Sequence, residues 1–162
     1  PTLGTAMATY CGQNLGAGRH ERIYDGMKKG FFICIAISLV ASGICVFCGR
    51  FIVSWFVSNP SEEIYTYAMQ YLTTIAWFML PLAWIFLYRN ALQGLNRGFV
   101  PMISGVVELV CRTVVIVCTL KPFGYWAVRL ASPVTWVFTG ILLIVTYYIW
   151  ERKDRSAHAK KA

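Results

Sequence analysis

Charged residues are scarce in this sequence. Only 14% of the 162 residues are Asp, Glu, Lys or Arg, whereas about a quarter are charged in an ordinary soluble domain. Hydrophobic residues make up 57% of the chain. Because a soluble fold of this length cannot hide that much apolar surface, the composition excludes an ordinary globular protein and indicates that the lipid bilayer is a partner of the chain.

Groups that carry catalysis or bind metals are also scarce. The sequence has two histidines, His20 and His158, and both lie in basic segments where no Ser, His and Asp assemble into a nucleophilic set. Cys45 and Cys48 form a C-x-x-C without a second cysteine pair or a nearby His. No phosphate loop or dinucleotide fingerprint is present. These absences argue against an enzyme, a metal site and an organic cofactor.

Long apolar segments are what the sequence has instead. A helix needs about 20 residues to cross the hydrocarbon core of a bilayer. Four segments of sufficient length are nearly free of charge: 30–57, 64–88, 99–120 and 125–150. They are too long and too uniformly apolar for the alternating strands of a barrel, so we predict an all-α integral membrane protein, a polytopic helical bundle.

The net charge of +8 is concentrated in residues 19–29, 89–97 and 152–161, each beside an apolar segment. This distribution differs from a continuous nucleic-acid-binding surface, and we expect no nucleic-acid partner. The intervening loops, 58–63 and 121–124, contain one Lys between them. Since Lys and Arg in short loops are retained in the cytoplasm, we predict a multi-pass protein of the plasma membrane with a cytoplasmic C terminus.

The remaining stretches complete the predicted organisation. Residues 1–18 are small and mostly uncharged, and we interpret them as the end of a truncated transmembrane helix, with at least one span missing upstream. Residues 19–29 are predicted to be a cytoplasmic loop and residues 151–162 a basic, disordered cytoplasmic tail. Asn59 and Pro60 predict a helix start, as N-cap and first helical residue.

Several motifs occur in an order that resembles the MATE (multidrug and toxic compound extrusion) family. Gly12-Gln13-Asn14-Leu15-Gly16-Ala17-Gly18-Arg19-His20-Glu21-Arg22 is similar to the family segment GQNLGAGR-x-ER. The further matches are Ala91-Leu92-Gln93-Gly94-Leu95, Pro101-Met102 with Glu108 and Arg112, Phe123-Gly124-Tyr125, and Ala131-Ser132-Pro133 before Trp136. Together they cover essentially the whole chain.

The resemblance implies a twelve-helix antiporter of two six-helix lobes. Such a protein expels lipophilic or cationic, drug-like compounds in exchange for Na⁺ or H⁺ by alternating access. This chain would supply the end of helix eight and helices nine to twelve, and its partner would be the missing N-terminal lobe of the same protein. Two alternatives remain open: a related flippase for lipid-linked oligosaccharide, and a membrane fragment that does not transport.

Glu108 and Arg112 are the foremost candidates for a functional role. Both lie deep in an apolar segment, and their i, i+4 spacing with the acid first places them on one helix face. One interpretation is a structural ion pair that orients the helix. The other is a carboxylate that binds the coupling cation or proton, although a neighbouring guanidinium favours the charged carboxylate and makes it a poor proton carrier unless the pair separates.

Two further sets are candidates for substrate contact and for packing. Their helical spacing predicts one stripe along the segment 64–88 that faces substrate or lipid, formed by Gln70, Trp77, Pro81, Trp84 and Tyr88. Amides lie beside glycines near the predicted cytoplasmic helix ends, at Gly12, Gln13, Asn14, Gly16, Asn90, Gln93 and Gly94. We expect this second set to serve close helix packing at the inner gate, with amide hydrogen bonds between helices, and direct ligand contact is the alternative.

Overall fold

The computed structural model describes residues 2–56 and 61–159, which are helical apart from short turns. The helices in these ranges are α1 (Thr2–Gly16), α2 (His20–Phe47), α3 (Gly49–Phe56), α4 (Glu62–Trp77), α5 (Met79–Gly94), α6 (Phe99–Phe123) and α7 (Tyr125–Ala159). A helix satisfies its backbone hydrogen bonds internally, which is the condition that lipid imposes on a spanning chain. The predicted all-α, polytopic fold is confirmed.

Three helices, α2, α6 and α7, are long and apolar enough to cross a membrane, and α4 with α5 passes the same test as one bent span. The bend between α4 and α5 is 49°. Pro81 lies in the first turn of α5, where a missing N–H is tolerated, and it cannot donate to the carbonyl of Trp77 one turn earlier. The break therefore occurs where the hydrogen-bond ladder cannot continue.

The predicted cytoplasmic loop at 19–29 is helical from His20 onward, which corrects that boundary. The turn between α1 and α2 is short because Gly18 adopts a left-handed conformation with φ 67°. The N–H of Arg19 then donates to the carbonyl of Asn14 at 2.8 Å, which closes the end of α1. The basic residues of this region therefore lie on the first turns of α2.

Two other boundaries differ from the prediction. The segment 30–57 divides at Cys48 into α2 and α3. The tail is helical to Ala159, as a continuation of α7. Helix α4 is capped by Ser61, whose hydroxyl accepts from the N–H of Ile64 at 3.4 Å, whereas Asn59 and Pro60 lie outside the described residues.

The core lies around α5, which packs against α1, α2 and α7. Its buried side chains include Cys11, Ile23, Leu87, Leu92 and Leu143. Many large apolar side chains instead point outward, and Phe47, for example, is 89% exposed. Exposed apolar surface on this scale is stable only in contact with lipid or with another apolar protein surface.

Candidate functional site

Glu108 binds two arginines. It lies well inside α6, which begins at Phe99, at a depth of about 14 Å along the helix axis. Its Oε1 is 3.2 Å from a guanidinium nitrogen of Arg112, and its Oε2 is 3.1 Å from a guanidinium nitrogen of Arg89. The predicted pair with Arg112 is formed, and the contact with Arg89 links α6 to α5.

The group formed by Glu108, Arg89 and Arg112, here called the charge triad, has one negative and two positive charges. Both carboxylate oxygens already accept a hydrogen bond. The Nε atoms of the two arginines are buried without a hydrogen-bond partner in the part of the chain that the structure describes. The surplus positive charge of the triad repels a further cation that approaches Glu108. In this arrangement the charge triad suits the joining of α5 to α6 better than the binding of Na⁺ or H⁺.

The sequence pattern did not single out Arg89 as a partner of Glu108. It counted there as part of the basic cluster 89–97 at a predicted cytoplasmic loop. In the structure α5 continues to Gly94, and the side chain of Arg89 is only 25% exposed. The signal that could have found it is its position more than one turn before Gly94, which places Arg89 inside a helix and not in a loop.

Gln70 lies in a polar group on α4 and α7. Its Oε1 accepts from a guanidinium nitrogen of Arg129 at 3.3 Å. The Nε of Arg129 donates to the hydroxyl of Thr74, and its guanidinium lies 4.4 Å from the ring centroid of Trp126. Gln70 also lines an open cavity of about 490 Å³ together with Arg50 and Arg129. The amide is therefore engaged with an arginine at the edge of a cavity.

The predicted stripe on 64–88 does not form one face, because the bend at Phe78 separates its members. Trp77 is 80% exposed and lines a cavity of about 420 Å³. Trp84 stacks on Phe31, with ring centroids 5.0 Å apart. Tyr88 is buried and contacts Tyr147 edge-on at 5.4 Å. Of the three aromatic candidates, Trp77 alone has an open position, and the other two pack in the core.

The predicted glycine packing occurs where α1 meets α5. A Cβ placed on Gly94 would overlap the carbonyl oxygen of Ala8, and one on Gly12 would lie 3.3 Å from the carbonyl oxygen of Gly94. A Cβ on Gly16 would meet nothing within 4 Å, so Gly16 takes no part in this contact. The two backbones can approach this closely because Gly94 carries no side chain.

The amides near these glycines bond within their own helices instead of between helices. Asn14 Nδ2 donates to the carbonyl of Tyr10, and Asn90 Nδ2 donates to the carbonyl of Phe86, both at 2.8 Å. Gln13 and Gln93 are exposed. The expected amide bonds between helices are therefore absent for Asn14 and Asn90. Each side chain instead donates to a backbone carbonyl one turn earlier in its own helix, as Asn often does.

A polar cluster joins the last turns of α7 to the first turns of α2. The hydroxyl of Tyr24 donates to Asp154 Oδ2 at 2.5 Å, and His20 Nδ1 lies 2.7 Å from the same oxygen. Arg155 contacts Glu21 at 3.4 Å and lies over the ring of Tyr24 at 3.8 Å. These contacts hold the region that the sequence analysis predicted to be a disordered tail.

The amino-acid pattern and these helices agree with one known family. Residues 2–118, more than half of the chain, match the model of the MatE family. The chain belongs to the MatE family. The resemblance indicated by the motifs is confirmed. The matched residues include α1 to α5 and most of α6. Neither the comparison with curated proteins nor that with solved structures gives a match.

Membership in the MatE family makes this protein a polytopic helical membrane transporter of the MATE type. The members of the family are transporters and not enzymes. Within residues 2–56 and 61–159, no three His, Cys, Asp or Glu side chains converge as a metal site. The charge triad, the bent span and the α1–α5 contact are therefore interpreted as parts of a transporter.

Proposed function

We propose that this MatE transporter exports lipophilic or cationic compounds in exchange for Na⁺ or H⁺ by alternating access. The observation that carries the proposal is the family match across α1 to most of α6. Transport in this scheme requires two opposed lobes, so the N-terminal lobe of the same protein is the proposed partner of these helices. The proposed location is the plasma membrane, with the C terminus in the cytoplasm.

The bent span supports a path for an apolar or cationic compound. In transporters, a broken helix is tolerated at membrane depth where it lines a cavity. Cavities of about 400 and 420 Å³ lie on the two sides of the α4–α5 break, lined by Met79 and by Trp77 respectively. Both linings are mainly apolar, and an indole ring attracts an organic cation by about 0.5–2 kcal/mol. Trp77 is the proposed substrate contact.

Glu108 enters the proposal as the residue that couples movement of α5 to movement of α6. Its two arginines leave no free carboxylate oxygen in this conformation. A flippase would need free cations deep in the membrane to hold a pyrophosphate, whereas Arg89 and Arg112 are both paired with Glu108. We therefore do not propose that alternative. Glu108→Gln is expected to cripple efflux while expression persists, because the amide cannot pair with two guanidinium groups.

Efflux is tested with the complete gene expressed in cells that lack their own drug pumps. Retention of ethidium, a fluorescent lipophilic cation, should fall relative to cells with an empty vector. Ionophores that dissipate the Na⁺ and H⁺ gradients separately should restore retention for one ion only, which names the coupling ion. Retention equal to that of the empty vector, or efflux that survives loss of both gradients, would contradict the proposal.

Substrate contact by Trp77 is tested with a matched tryptophan. Trp77 and Trp55 are 80% and 78% exposed, and Trp55 lies in α3 away from the bend. Trp77→Ala should change the ranking of exported compounds, with a several-fold larger loss for cations than for neutral drugs. Trp55→Ala should leave the ranking unchanged. An equal, uniform loss in both variants would remove Trp77 from the substrate path.

A further inference from the structure

An open cavity of about 320 Å³ lies where the turn between α5 and α6 meets the end of α7. Val100, Ile149 and Trp150 contribute to the apolar part of its lining. Arg97 and Lys153 bring two positive charges to the same cavity, and Asp154 also lines it. Neither the charge triad nor the cavities at the α4–α5 break includes these cations.

The two positive charges of this cavity, here called the α5–α7 cavity, outnumber its one acid. In residues 2–56 and 61–159, neither Arg97 nor Lys153 forms an ion pair. Asp154 is already engaged, because its Oδ2 receives the Tyr24 hydroxyl at 2.5 Å and lies 2.7 Å from His20 Nδ1. An anion entering the α5–α7 cavity would therefore meet two cations and one carboxylate that is committed elsewhere.

The backbone places both cations. Asn96 adopts a left-handed conformation with φ 58°, and the N–H of Arg97 donates to the carbonyl of Leu92 at 2.9 Å. This bond closes α5 and sets the direction in which the chain leaves it. Lys153 lies one turn beyond Trp150 on the continuous helix α7. The cations are thus presented by ordered backbone on two sides of one cavity.

We propose that the α5–α7 cavity binds the head group of an anionic phospholipid. Its lining contains the groups that such a molecule requires, namely two cations for the phosphate, and apolar side chains and an indole for the glycerol and the first acyl carbons. Basic pockets between helices at a membrane surface recognise anionic head groups in this way, and Trp favours the interface. A free phosphate shares the charge but would make no use of Val100 and Ile149.

The test uses the complete protein in neutral detergent micelles, where no charged bilayer surface attracts it. Native mass spectrometry counts bound phosphatidylglycerol, with phosphatidylcholine as the uncharged comparison. The site variant is Arg97→Gln/Lys153→Gln. The matched control, Lys28→Gln/Arg152→Gln, removes the same charge from exposed positions outside the cavity. Circular dichroism establishes that both variants keep the helical content of the parent.

The dissociation constant of one bound phosphatidylglycerol should rise roughly 25-fold in the site variant, since each basic residue strengthens such binding about fivefold. The control should change less than about threefold. Equal weakening in both variants, or none in either, would overturn the proposal in favour of diffuse surface charge or another site. Competition by free glycerol phosphate at a concentration similar to that of the lipid would overturn the assignment to a lipid.

Discussion

Replacing Glu108 with Gln tests how the charge triad stabilises the helix bundle. The substitution keeps the size of the side chain and removes its charge, so that Arg89 and Arg112 are left facing a neutral amide. The net charge of the triad rises from +1 to +2. The amide can accept at one oxygen only, whereas the carboxylate accepts from both guanidinium groups at 3.1 and 3.2 Å.

The expected magnitude follows from the exposure of the three side chains. Removing one partner of a fully buried ion pair costs about 3–5 kcal/mol, and an exposed pair contributes about 0–1 kcal/mol. Glu108, Arg89 and Arg112 are 23%, 25% and 41% exposed, which places the triad between these limits. We expect Glu108→Gln to lower the free energy of unfolding by about 2 kcal/mol.

The other members of the triad should rank below Glu108. Arg112→Gln leaves Glu108 and Arg89 as a pair with no net charge. It should lower the free energy of unfolding by less than about 1 kcal/mol. The measurement is denaturant-induced unfolding of the purified protein in neutral detergent. A control with the same chemistry is Glu62→Gln, whose partner Arg50 lies 3.5 Å away in a pair that is 69% and 86% exposed.

Glu62→Gln should change stability by no more than about 0.5 kcal/mol. Two results would refute the reasoning. One is an Arg112→Gln variant that is destabilised as much as Glu108→Gln, because the surplus charge would then not govern the triad. The other is an equal loss for Glu62→Gln, because burial would then not decide the strength of these pairs.

Three further substitutions test other contacts. Gly94→Ala should lower the free energy of unfolding by about 1–3 kcal/mol in the same assay, because its methyl group meets an α1 carbonyl. Gly98→Ala, with open space around it, should be near neutral. Equal losses would contradict this packing. Tyr24→Phe should cost about 1–2 kcal/mol by removing the donor to Asp154, and an unchanged stability would argue against the α2–α7 cluster. Pro81→Ala should restore a helical N–H, reduce the bend measured by spin-label distances and slow efflux several-fold; unaltered distances would assign the bend to tertiary packing.

Composition and motif order are enough to predict the class of this protein. A chain that is 57% hydrophobic, with long nearly uncharged segments, has few alternatives to membrane-spanning helices, since lipid offers no partners for an open backbone. The motif from Gly12 to Arg22 and those that follow it identify the family, which the match over residues 2–118 confirms. Proline chemistry also explains why a bend lies near Pro81.

Individual contacts could not be predicted in the same way, because charge and spacing do not reveal which helices are neighbours. Arg89 belongs to a basic cluster in the sequence, and only the packing of α5 against α6 brings it to Glu108. The tail after Trp150 is basic and polar, which is typical of disorder. In the structure it is helical as far as Ala159, and Asp154 and Arg155 meet partners on α2.

The sequence by itself therefore determined that this protein lies in a lipid bilayer, that it is helical and which family it belongs to. These properties follow from local chemistry summed along the chain. The tertiary structure alone decided that Trp77 is open, that Trp84 packs against the core and Tyr88 is buried, and that Glu108 pairs with two arginines. The physical reason is that a side chain's exposure and charge balance depend on neighbours that are distant in sequence, and a 49° bend is sufficient to redirect them.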